Sequence, residues 1–197
     1  MKSPLARGIT EELIINSLKS IHRYAVGKDW YDYDQWFLMD TIIDKVSRHG
    51  ISDPNYFCWA ADKLFQLSKY SAIHVLLGAK PISNPKVKSI FIPGYLTLYR
   101  STCDRYYLLR SVELGRKLVQ ELTSYRGTLC VGSPFRHYVN KFGVRYYDKG
   151  SPLSFLTALA GHAFVDLFLT SRDASFLHVA RKLGNFFLCS ENYQEYD

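Results

Sequence analysis

Apolar residues recur at helical spacing along most of this chain, and the punctuation between them predicts a series of helices. Ile14, Leu18, Ile21 and Ala25 form one stripe. Thr10 ahead of it is a good capping residue, and Glu11 and Glu12 suit the positive end of a helix dipole, so a first helix runs from Glu11 to about Tyr24 and ends at Gly27. Leu38, Ile42, Ile43 and Val46 predict a second helix, stopped at Gly50. Asp53 and Pro54 open a third, with Phe57, Ala61, Leu64 and Leu67 on its apolar face. A fourth carries Val87, Ile90, Phe91, Tyr95 and Leu98; Pro93 and Gly94 interrupt it, so it is predicted to kink or to begin late. The fifth spans about Asp104 to Thr123, with Leu108, Val112, Gly115, Leu118, Val119 and Leu122 close to ideal spacing. A long connection, Ser124 to Ser151, then leads to a sixth helix opened by Pro152 and a seventh from about Asp173 to Cys189. Strand alternation of useful length is missing, so the predicted fold class is all-α.

The last two helices copy the two before the long connection. Leu98 and Leu167, Tyr99 and Phe168, Asp104 and Asp173, Leu108 and Leu177, and Gly115 and Gly184 each lie 69 positions apart. An apolar pair, a short turn with Asp, Leu four residues on and a small residue seven beyond make a helix–turn–helix repeat. The period predicts burial of Leu108, Leu118, Leu167 and Leu177 between helices, with Gly115 and Gly184 allowing close helix approach.

Composition narrows the class. The 197 residues are 47% hydrophobic and 15% aromatic, enough for one sizeable core, and the expected organisation is a single domain over residues 1–197. The apolar stretch from Leu153 to Thr170 contains His162 and Asp166, so it reads as a buried helix with His162 as a satisfied core histidine, not as a membrane span. With no continuous apolar run behind the N-terminal Lys2, the expected location is the cytoplasm. Cys58, Cys103, Cys130 and Cys189 have neither metal-ligand nor redox spacing and read as buried or half-buried thiols; no metal or cofactor is expected. The net charge of +7 suits a polyanionic partner, but the basic residues are spread without a dense run, which argues against nucleic acid.

Antiparallel helices with small residues at their contacts fit a straight bundle, a solenoid or a closed ring of hairpins. Three segments, IHVLLGAKPISNPKV, YLTLYRSTCDRYYLL and KGSPLSFLTALAGHAFVDLFLTSRDASFLHVARKLGNFFL, resemble the helical-hairpin proteins encoded in bacterial surface-polysaccharide gene clusters, which look like members of the six-hairpin glycosidase superfamily. The resemblance covers roughly Lys69 to Cys189 and implies a partial (α/α) toroid of about seven helices, acting in surface-polysaccharide metabolism by binding or processing a glycan or activated sugar. Seven helices make about half of a six-hairpin ring. Self-association or a protein partner is therefore expected at the open edge, and a non-catalytic helical scaffold is the alternative function.

Two segments concentrate groups suited to sugars. In KDWYDYDQW, carboxylates at Asp29 and Asp32 can hold hydroxyls or act as general acid and base, and Tyr31 can stack on a ring. This segment resembles an early D-P-Y-D-like stretch of the family, with Trp30 where proline is usual. In CVGSPFRHYVNKFGVRYYDKGSP, Arg136, His137, Arg145, Tyr146 and Tyr147 form a basic–aromatic set able to bind a phosphate, a uronic acid or single-stranded nucleic acid, and His137 has the chemistry of a general base. The family's W-G-Y-x-F-D-W-Q-S-R-like stretch falls here. Gly132 and Phe135 are retained, whereas Val131, Arg136 and His137 replace tryptophan, aspartate and tryptophan, which puts catalysis in doubt.

Overall fold

A computed structural model describes residues 11–27, 31–32, 75–76, 78, 80–135, 137–139 and 145–189. The described chain is mostly helical, with α1 (Glu11–Gly27), α2 (Pro85–Thr102), α3 (Arg105–Gln120), α4 (Ser154–Ser171) and α5 (Ala174–Cys189). The second and third helices expected from sequence lie outside the described residues. The helical character expected from sequence holds, and beside the helices six short strands among the described residues form three antiparallel pairs: β1 (Tyr31–Asp32) with β2 (Ile82–Ser83), β3 (Leu122–Tyr125) with β4 (Thr128–Val131), and β5 (His137–Val139) with β6 (Arg145–Tyr147). The segment read as a long connection is thus largely two hairpins. In the first, Arg126 (φ 47°) and Gly127 (φ 80°) make a two-residue turn of the twist that closes β-hairpins.

Each helix boundary has a local cause. The Asn84 side chain accepts from the Lys86 amide at 3.0 Å and Pro85 follows as the first helical residue, so α2 begins early and runs on through Pro93 to Thr102. Proline there removes one amide donor, while Ile92, Tyr95 and Leu96 on either side are anchored in the core, and that packing outweighs one lost bond. Pro152 does not open α4. It bridges to Gly132, and Leu153 takes the cap position, its carbonyl accepting from the Thr157 hydroxyl at 2.8 Å.

The 69-residue period is a structural repeat. The limits of α2 and α3 fall 69 positions before those of α4 and α5. Both helix pairs turn through a non-glycine residue in the left-handed conformation, Cys103 (φ 56°) and Arg172 (φ 60°), whose amides donate to Tyr99 and Phe168. Asp104 and Asp173 then cap the returning helices by accepting from the Tyr106 and Ser175 amides. The aromatic stack also repeats, Tyr95 on Tyr107 with centroids 6.2 Å apart and Phe164 on Phe176 at 6.0 Å.

Packing joins α2 to α3, α4 to α5 and α2 to α4, with β4 against α4 and α5. Leu118 and Leu167 are fully buried, as expected, whereas Leu108 and Leu177 are only half-buried. A Cβ added at Gly115 would meet Leu167 Cδ1 at 2.6 Å, so the close approach is real there; Gly184 is exposed with nothing within 4 Å, and the expectation fails. His162 is likewise exposed rather than buried in the core, as are Cys103 and Cys189, while Cys130 is buried. For His162 the reason is that α4, although largely apolar and long enough to cross a membrane, buries only the side bearing Leu156, Ala160, Ala163, Phe164 and Leu167. Phe155, Val165 and Leu169 remain exposed with His162.

Candidate functional site

The three strand pairs among the described residues are attached at one end of the helical layer. β2 leads directly into the start of α2, β3 follows the end of α3, and β4 is tied to the start of α4. The ties are hydrogen bonds from the Leu153 amide to the Val131 carbonyl, 2.9 Å, and from the Val131 amide to the Thr157 hydroxyl, 3.0 Å. The stem of β5–β6 is pinned to the same place, where Ser133 and Gly150–Ser151 exchange two backbone bonds of 2.8 Å. Gly132 fits here because it has no Cβ: one would lie 2.9 Å from the Gly150 carbonyl oxygen. Val131 is fully buried in this joint and serves the core.

Of the residues singled out from sequence, β1 carries Tyr31 and Asp32, and β5–β6 carries His137 and Tyr147. Tyr31 and Asp32 pair with Ser83 and Ile82, and His137 stands opposite Tyr147. The topology therefore brings the backbone of both segments to the strand-bearing end. Asp29, Arg136 and the side chains of Tyr31, Asp32, His137 and Tyr147 lie outside the described residues.

Beneath β1–β2 lies a polar trio that sequence reading missed. Lys88, almost wholly buried in the first turn of α2, pairs with Glu121 Oε1 at 2.7 Å just past the end of α3. Ser83 of β2 donates to the same oxygen at 2.5 Å and accepts from the lysine. The trio fixes β2 to the start of α2 and the end of α3. Its position repeats as Thr157, which joins α4 to β4 in the same way without charge.

A second cluster holds α1. His22 Nδ1 meets the Tyr95 hydroxyl, and Nε2 meets the Tyr106 hydroxyl at 2.9 Å. Burial, and secondarily the Arg110 guanidinium, hold the imidazole below its ordinary pKa of 6.5, and burial keeps the Tyr95 phenol protonated far above its usual range. A neutral ring has one donor and one acceptor nitrogen, so one tyrosine donates to it and the other accepts. In the second repeat Tyr95 and Tyr106 become Phe164 and Ser175, so the hydroxyls mark where α1 docks. Separations of 73 and 84 positions gave no sequence signal for this contact.

Among the described residues no three His, Cys, Asp or Glu side chains are grouped to hold a metal ion. The described acids are largely engaged in structure: Asp104 and Asp173 cap helices, Glu121 pairs with Lys88, Glu113 with Arg110 and Lys117, and Asp166 with Arg100. In comparisons with protein-family models, with curated proteins and with solved structures, nothing matches this chain.

Proposed function

We propose that this chain is a partial (α/α) toroid of surface-polysaccharide metabolism that binds an anionic glycan or activated sugar at its strand-bearing end. The observation that carries the reading is the convergence of β1 and β5–β6 on that end, above helices braced by the Lys88–Glu121 pair. In this reading Asp29 and Asp32 hold sugar hydroxyls, Tyr31 and Tyr147 stack on ring faces, and Arg136 with His137 selects a carboxylate or phosphate. The role is binding in the first instance, since the departures at Val131, Arg136 and His137 remove acid and stacking groups from the stretch that resembles the family's loop.

Calorimetric titration with uronic-acid oligosaccharides and sugar nucleotides tests it, comparing the parent with Asp32→Ala and Arg136→Ala. Loss of one charged hydrogen bond to ligand should weaken binding by about 1.5–3 kcal/mol, or roughly ten- to a hundredfold. No heat of binding with the parent sinks the proposal. A non-catalytic helical scaffold is the second reading, favoured by the internal repeat, because stacked hairpins present extended faces to protein partners.

A further inference from the structure

The two repeats are equivalent in sequence and unequal in exposure. On α2, Ser89 and Leu96 are buried; their equivalents on α4, Ala158 and Val165, are exposed, and Val165 is 41% open. The α2 face that carries Ser89 and Leu96 continues to Arg100, which bonds Asp166 at 3.4 Å and Thr170 at 2.9 Å, so α4 is what covers it. The corresponding face of α4 ends in Leu169, which is 51% exposed. The complementary asymmetry lies on the other side. α4 meets α2 through the row Leu159, Asp166 and Thr170, all half-buried, and the equivalent row on α2, Ile90, Thr97 and Ser101, is exposed, with Ile90 50% open. Among the described residues, one junction is thus made and both halves of a second one are left open.

We infer that the exposed face of α4 (Ala158, Val165, Leu169) docks the exposed face of α2 (Ile90, Thr97, Ser101) of a second copy, head to tail, repeating the α2–α4 junction between chains. The occupant is identified by continuity with that junction and by charge. Inside the chain Arg100 meets Asp166; at the proposed contact the equivalent pair is Leu169 and Thr97, so both charges disappear together and neither copy buries an unpaired ion. Apolar Val165 and Leu169 gain cover from a helix row that is itself exposed and bears Ile90. Such a contact is heterologous: an open assembly keeps one free half-junction at each end, and it closes as a ring or continues as a filament. It is independent of any saccharide at the strand-bearing end.

Sedimentation velocity across a wide range of concentration tests the inference on the whole chain, using Val165→Glu on one face and Ile90→Glu on the other. Both positions are exposed, and retained helical circular dichroism and unfolding midpoint verify each fold. The expected result is a concentration-dependent oligomer for the parent and monomers for each variant alone. Mixing the two variants should restore a dimer that grows no further, because the intact α2 face of one meets the intact α4 face of the other. A parent that stays monomeric throughout overturns the inference. So does association unaffected by Val165→Glu, or association abolished by Val165→Glu, untouched by Ile90→Glu and not rescued by mixing, which would mean a symmetric pairing of α4 with itself.

Discussion

Gly115 and Gly184 occupy equivalent positions and should respond oppositely to the same substitution. Alanine at 115 places a methyl group 2.6 Å from Leu167 Cδ1 and 3.1 Å from Phe176 Cε1, both on fully or almost fully buried side chains. Overpacking of that kind costs about 1–3 kcal/mol and exceeds the gain in helix propensity. Alanine at 184 meets nothing within 4 Å, so the propensity gain of about 0.5–1 kcal/mol stands alone. Urea unfolding of the two variants should move the midpoint down for the first and up for the second. His22 supplies a pH signature at the same scale. Its folded pKa is depressed, so as pH falls below 6.5 the unfolded chain takes up a proton that the folded chain resists. The stabilisation is fully present above 6.5 and lost as pH falls from there toward the folded value. His22→Phe should flatten the dependence of the unfolding midpoint over that interval, and an unchanged slope would place its origin elsewhere.

Elements were legible in sequence where their signals were local. Asp104 and Asp173, each just before an amphipathic run, located α3 and α5 and fixed the period between them. The strands were not legible, since segments of two to four residues are too short to show alternation and the β3–β4 turn uses Arg126–Gly127 instead of an Asn-Gly signal. Of the candidate site, the sequence identified which segments carry sugar-compatible groups. It did not reveal what supports them, because Lys88 and Glu121 are 33 positions apart and each looks like an ordinary surface charge. That pair carries an element-level prediction. Glu121→Leu strands a buried ammonium and should cost about 3–5 kcal/mol, while Lys88→Met with Glu121→Leu should recover most of the loss, as a thermal or urea double-mutant cycle would reveal. The hairpin core makes a parallel case: Leu167→Ala opens space beside Gly115 and Phe176 and should cost about 2–5 kcal/mol, and an unchanged midpoint would contradict the repeat packing.

At the scale of the molecule, two stacked hairpins with matched turns mean that any property set by the turn is present twice. Cys103 and Arg172 hold left-handed backbone angles without being glycine, which in L-residues costs about 1–2 kcal/mol apiece. Both are exposed, and the cap bond of each turn runs from the backbone amide. The fold therefore carries two equal deposits of strain at points equivalent under its own repeat. Cys103→Gly and Arg172→Gly should each release part of it, partly offset by the greater freedom glycine gives the unfolded chain, and because the sites belong to separate turns the two effects should add. Relaxing the turns leaves every packed face untouched, so the doubly substituted chain offers a sturdier form of the same architecture in which an exposed thiol has also been removed.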